Sequence, residues 1–185
     1  MRILNINKKI KLFIDCIESM KLPDSRGTRL FCIAIDEDEQ GFYYELDNII
    51  EGLNRKGENI ENINISELIM YNLQEDNMLA GIIEIEKSSP NLIDNQYRIL
   101  EKYIISKIKD KVQSSRADII VLSRVEFTYP YVINAFRIMM EFENETNKSI
   151  LLILPAERKG ENLYKYLDKK EISSPSYRIK DITDF

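Results

Sequence analysis

Apolar residues recur at intervals of three and four over residues 6–20, where Ile6, Ile10, Phe13, Ile14 and Ile17 share one face of a helix. Pro23, Asp24 and Gly27 break that pattern. Residues 29–35 follow as a short, mostly apolar run, the signature of a strand buried on both faces, and acidic residues 36–39 end it. Phe42, Leu46, Ile49, Ile50 and Leu53 mark a second amphipathic helix over about residues 40–56, stopped by Gly57. Residues 58–65 alternate imperfectly, with Ile60, Ile63 and Ile65, and read as a strand. Ser66 is placed to cap a helix over residues 67–88, Pro90 interrupts the chain, and Tyr97, Leu100, Ile104 and Ile108 set a further helix over 93–114.

The second half of the chain continues the alternation. Residues 118–122 predict a strand, 130–143 a helix, 149–154 another strand and 163–167 a short helix, and residues 176–179 add an edge strand. Parallel neighbours need such crossover helices. The expected fold class is therefore α/β: a mostly parallel central sheet of four to five strands flanked by helices on both faces, preceded by the N-terminal amphipathic helix. Residues 1–185 are expected to form a single domain, with that helix over 6–21 and a C-terminal tail from about 181.

Composition narrows the chemistry. The chain has no histidine, which excludes His-dependent nucleophilic triads, HExxH metalloproteases and His-rich zinc sites. Its two cysteines, Cys16 and Cys32, are too few for a Cys-only zinc site or a disulfide framework and fall on apolar faces, so they read as core residues in a reducing cytoplasm. No apolar run approaches the ~18 residues of a membrane span, and Lys8, Lys9, Lys11 and Asp15 interrupt the apolar stretch at the N-terminus, unlike a signal peptide. Phosphate cradles need glycine-rich loops, whereas the strand ending at Ile35 runs into Asp-Glu-Asp-Glu. No cofactor is expected.

Residues 1–92 hold 10 basic and 17 acidic side chains, and residues 93–185 hold 16 basic and 14 acidic. Neither half carries the strong positive field of a nucleic-acid-binding protein, which leaves Lys107, Lys109, Lys111 and Arg116 as the local patch through which an accessory nucleic-acid contact would act.

Ligands of parallel sheets bind beyond the carboxyl ends of the strands, here residues 36–38, 123–129 and 155–160. Asp36, Asp38, Glu126 and Glu157 from these loops are candidate ligands for Mg²⁺ in phosphodiester cleavage, with Arg124 and Arg158 to counter phosphate charge, and Glu157-Arg158-Lys159 has the Glu-x-Lys spacing of many nucleases. The competing reading is a set of surface loop charges. Residues 125–131 are the most unusual stretch, joining strand to helix with Phe127, Tyr129 and Tyr131 and with Pro130 at the expected helix start. Phe127 and Tyr131 either plug the open end of the core or form an aromatic surface for a partner.

The run Asp-Ile-Ile-Val-Leu-Ser-Arg-Val-Glu-Phe-Thr-Tyr-Pro-Tyr-Val-Ile over residues 118–133 resembles the strand, TGVG…YPF loop and helix of the BrxB family, a small component of bacterial BREX phage-exclusion systems. Leu-Leu-Ile-Leu-Pro-Ala-Glu-Arg-Lys-Gly over 151–160, with Leu163 and Tyr164, is similar to that family's FFPG.Y.G..LRLF segment, and Tyr177-Arg178 to its closing aromatic-Arg stretch. Ser123, Arg124 and Glu126 replace the threonine and glycines of the first motif, and Ala156 replaces the glycine after Pro155. The resemblance implies a non-enzymatic assembly component of an anti-phage defence complex. It would work beside a large ATPase, a PglZ-like protein and a DNA methyltransferase; the candidate docking residues are Phe127, Tyr129, Pro130, Tyr131, Pro155, Arg158 and Gly160, with exposed parts of the first helix as an alternative. The alternatives are the Mg²⁺-dependent nuclease and the nucleic-acid-binding accessory.

Overall fold

A chain with several short runs of consecutive aliphatic residues must bury them on both sides, and a layered sheet between helices does so. The computed structural model describes residues 2–20, 29–36, 39–88, 93–129, 131–132, 134–143, 146–160, 162–167, 170–173 and 179–183, leaving aside the side chains of 2–5, 85–86, 88, 93–97 and 170. In chain order it consists of α1 (Arg2–Ser19), β1 (Leu30–Ile35), α2 (Phe42–Arg55), β2 (Ile60–Asn64), α3 (Ile65–Glu75), α4 (Met78–Ser88) and α5 (Ile93–Ser114). These are followed by β3 (Ile119–Ser123), a 3-10 helix (Val125–Thr128), α6 (Phe136–Met140), β4 (Ser149–Gly160), β5 (Leu163–Tyr166), β6 (Lys170–Ser173) and β7 (Ile179–Asp181).

Five strands pair in the order β2-β3-β4-β1-β7, every neighbour parallel, as the alternation of elements requires. The two-residue pleat then sorts β1 between two cores. Phe31, Ile33 and Ile35 pack with Phe13 and Ile17 of α1 and Phe42, Leu46 and Ile50 of α2, whereas Leu30, Cys32 and Ala34 pack with α3, α5 and α6 on the opposite face. Both cysteines are buried and unpaired in these layers, and burial pushes the Cys16 thiol up to about 12.

Local chemistry sets the helix ends. Gly57, at φ 98°, closes α2 in a Schellman arrangement, with its N–H donating to Asn54 O and the Glu58 N–H to Leu53 O. Asn54 then bonds both the N–H and C=O of Ile60, and Asp47 holds Asn62, so polar side chains of α2 occupy the outer strand β2. Asn64, two residues before the expected Ser66, caps α3 by accepting from the Glu67 N–H. The helix expected over 67–88 is two helices. Asn77 adopts the left-handed conformation, φ 55°, which asparagine tolerates, and the preceding Asp76 carboxylate is held by the Tyr103 hydroxyl and Lys107.

Three further expectations are corrected. Residues 130–143 do not form one helix: the 3-10 helix precedes a five-residue α6, because the Asn134 side chain accepts from the Phe136 N–H and starts the helix there. Residues 163–167 are not helical, since β5 alternates buried Tyr164 and Tyr166 against half-exposed Lys165 and pairs antiparallel with β4 and β6. The strand expected to end at Leu154 runs on to Gly160. Of the expected 176–179 strand, only the β7 residue Ile179 is described; Pro23, Asp24, Gly27, Pro90, Tyr177 and Arg178 lie outside the described residues.

Truncating Ile33, fully buried at the centre of β1, to alanine should cost about 2–5 kcal/mol. Truncating Tyr44, 81% exposed on α2, should change stability by less than about 0.5 kcal/mol. Urea unfolding of the two variants checks the assignment of β1 to the core.

Candidate functional site

Strands that send their chains to opposite faces of a parallel sheet leave a crevice between their carboxyl ends. After β1 the chain turns toward α2, whereas after β4 it enters β5, whose tyrosines pack in the α3–α5–α6 core. Between them lies an open crevice of about 530 Å³ lined by Lys9, Asp36, Glu39, Glu157, Arg158 and Lys159 among others.

Its floor is a buried ion pair. Lys9 projects from the core-facing side of α1, is 8% exposed, and donates to Ala34 O at 3.0 Å and Thr183 O at 3.5 Å, with Glu39 Oε2 at 3.5 Å. The same Glu39 oxygen accepts from the Asp36 N–H at 2.9 Å, closing the turn after β1. Behind the crevice, Asp181 of β7 accepts from the Tyr164 hydroxyl at 2.6 Å, the Thr183 N–H at 2.8 Å and the Thr183 hydroxyl, and pairs with Arg158 Nε at 3.0 Å. Thr183 Oγ1 in turn accepts from the Ala34 N–H. Burial pushes the Tyr164 hydroxyl far above its ordinary range, Cys32 and Asp181 adding to the effect. At the rim Lys159 pairs with Glu157.

A second cluster stands at the carboxyl end of β3. Arg124, at φ 59°, lays its guanidinium carbon 4.1 Å from the centre of the Tyr43 ring and pairs with Glu126 at 3.4 Å. Tyr43 Oη and Glu126 Oε2 are buried with no hydrogen-bond partner among the described residues. Burial, with the Glu126 charge next, drives the hydroxyls of both Tyr43 and Tyr166 up. Phe127, one residue on, is 58% exposed, although its neighbours Val125 and Thr128 are fully buried and the Thr128 hydroxyl is tied to Val125 O.

The expected site residues thus separate. Asp36 and Glu157 share the crevice and Glu126 belongs to the Tyr43 cluster, while Asp38 lies outside the described residues. Among the described residues no three His, Cys, Asp or Glu side chains stand together as a metal site. Of the expected docking residues, Arg158 and Gly160 line the crevice and Pro155 is buried inside β4 opposite Ile35. Phe127 faces solvent, Tyr129 and Tyr131 are half-buried against the core, and Pro130 lies outside the described residues. In the basic patch, Lys107 pairs with Asp76 and Lys111 with Glu61, and exposed Arg116 lines a hollow of about 440 Å³ at the opposite, amino-terminal edge of the sheet. Among the described residues no helix is long and apolar enough to cross a membrane.

Lys9, Asp181 and Thr183 were missed. Lys9 had a usable signal, since it stands four residues before Phe13 on the apolar face of α1, where a lysine must find oxygen partners. Nothing in the composition around Asp181 distinguishes it from a surface charge.

Lys9→Met or Glu39→Gln alone should destabilise by about 3–5 kcal/mol, because either leaves a buried charge uncompensated, and the double variant should lose less than the sum. A double-mutant cycle in urea checks this, and additive losses would contradict the ion pair. A pH dependence follows at Glu61. Burial raises its carboxyl, but hydrogen bonds from Lys111 and Ser115 outweigh burial and hold it below the usual range. Its stabilisation is therefore present above the unfolded pKa of about 4.3 and is lost as pH falls through the lower folded value. The urea midpoint of Glu61→Gln should accordingly fall less than that of the parent protein between about pH 6 and about pH 3.

A family model described as BREX protein BrxB matches residues 61–179, more than half of the chain, from β2 into β7 and including the 3-10 helix and the crevice-lining part of β4. No curated protein and no solved structure matches the chain. The matched span holds the motifs that carry the sequence resemblance. On that match the chain belongs to the BrxB family, and so to the components of BREX defence systems.

Proposed function

We propose that the protein is a non-enzymatic docking component of a BREX phage-exclusion complex, acting as one α/β unit in the cytoplasm. Its role is to bind a larger partner, such as a PglZ-like protein or the large ATPase, through the edge of the sheet that carries Phe127. The observation behind this reading is the state of Phe127. A large apolar side chain is 58% exposed on a backbone anchored by buried Val125 and Thr128. A rigidly presented aromatic loses little conformational freedom on binding and supplies large contact area, as interface anchors do.

Ion pairing at the carboxyl ends of β3 and β4 supports the same reading. Glu126 is engaged by Arg124 and Glu157 by Lys159. Charges paired within the molecule suit a polar rim around an apolar anchor. Half-buried Tyr129 and Tyr131 extend the aromatic edge, Arg158 and Gly160 border it at the crevice, and Pro155 acts from inside β4 by fixing the strand that carries them.

The test is co-purification of the tagged chain from a host expressing its defence-system neighbours at moderate salt. The parent protein should recover the PglZ-like protein or the ATPase. Phe127→Ala should reduce recovery by about tenfold or more, while its thermal unfolding stays within a degree or so of the parent protein, as expected for an exposed position. Undiminished recovery with Phe127→Ala would overturn the proposal.

A further inference from the structure

Helix α4 is out of place as a surface helix. Its described residues include Met78, Leu79, Ala80, Ile82 and Ile83, yet none of its described side chains is buried. Met78, Leu79 and Ile82 are half-covered by the core beneath, and Ile83 is 42% exposed. Helix α3, against which α4 packs, turns Ile65, Ile69 and Leu73 inward and leaves Met70 at 43% and Tyr71 at 62% exposure on its outward face. Met70 and Tyr71 of α3 and Ile83 of α4 are therefore exposed apolar side chains on two helices in contact. Small residues Ala80 and Gly81 are exposed on α4, and a Cβ at Gly81 would meet nothing within 4 Å, so another backbone can approach closely.

Charge discriminates among possible occupants. Residues 65–88 carry Glu67, Glu75, Asp76, Glu84 and Glu86 against Lys87 alone, and Lys107 of α5 pairs with Asp76, which leaves a net charge of −3. A second copy of the chain would set −3 against −3, and nucleic acid or an anionic lipid surface would be repelled in the same way. An apolar stripe flanked by basic residues satisfies both the Met/Ile/Tyr surface and its acidic surroundings. Methionines at 70 and 78 give that surface the adaptability typical of helix-binding sites.

We infer that the outer face of α3 and α4 binds an amphipathic helix with lysine or arginine flanks, contributed by a protein partner. The residues that define it, Met70, Tyr71 and Ile83, lie on α3 and α4, whereas Phe127 lies on the 3-10 helix that α3 packs against. Phe127→Ala should leave it intact, so failure of one surface does not entail failure of the other.

The test uses the full chain and two synthetic amphipathic helices with the same leucine stripe, one flanked by lysines and one by glutamates, titrated calorimetrically. The lysine-flanked helix should bind at least about tenfold more tightly than the glutamate-flanked one. Ile83→Glu and Tyr71→Glu should each weaken it by about tenfold or more with the urea midpoint unchanged, and Glu75→Lys/Glu84→Lys should narrow or reverse the preference between the two helices. Equal affinity for both helices, no binding of the lysine-flanked one, or an affinity unaffected by Ile83→Glu would overturn the inference. So would a concentration-dependent dimer of the free chain that Ile83→Glu abolishes, since the face would then belong to a second copy.

Discussion

The geometry of the molecule depends on the change of partner along β4. Over residues 149–155 this strand lies between β3 and β1, both parallel to it, and from Ala156 onward it pairs antiparallel with β5. Pro155 stands at the junction opposite Ile35, the last residue of β1. A proline has no N–H to donate, so inside a sheet it is tolerated only where pairing changes or ends. Because β1 stops there and β4 continues, the sheet opens into the crevice, and Glu157, Arg158 and Lys159 are carried past the edge of the core instead of into it.

An opening of that kind exposes the carbonyl end of β1 and the chain after β7, and the protein closes it with an ammonium group. Lys9 bonds the carbonyls of Ala34 and Thr183 and faces Glu39, which ties α1, β1 and the residues after β7 to one point. A buried charge is tolerable only when its hydrogen-bonding capacity is met. Asp181 does the complementary work with donors, taking the Tyr164 hydroxyl, Thr183 and the Arg158 guanidinium. Both groups join elements far apart in sequence, and for that reason neither pairing could be read from spacing.

What the sequence showed plainly follows the same division. The first helix, β1, α2 with its Gly57 terminus, β2, α5, β3 and the start of β4 were legible because each buries a continuous face or ends at a residue with one conformational use. Residues 163–167 were not, since five residues with apolar character at 163, 164, 166 and 167 satisfy both periods, and only the β4 partner decides for a strand. The 130–143 segment kept helical spacing at Ala135, Phe136, Ile138 and Met139, but a side-chain bond from Asn134 competes with the earlier turns. For the candidate site, Asp36, Glu157, Arg158 and Gly160 do line one crevice, although residues 155–160 belong to strand β4 and not to a loop. The separation of Glu126 from them was hidden, because it depends on where Tyr43 of α2 sits above β3.

The loop after β3 holds a side chain in a conformation that favours glycine. Arg124 occupies φ 59°, a left-handed conformation that costs a residue with a Cβ roughly 1–2 kcal/mol. That strain needs compensation from what the side chain touches. Its guanidinium stacks on Tyr43 and pairs with Glu126. Cation–π contact with a mostly buried ring contributes on the order of 1–2 kcal/mol, enough to offset the backbone term. The two side chains are therefore coupled, Arg124 holding Glu126 and Tyr43 holding Arg124. Their joint effect is to set the direction of the 3-10 helix that begins at Val125 and presents Phe127 to solvent.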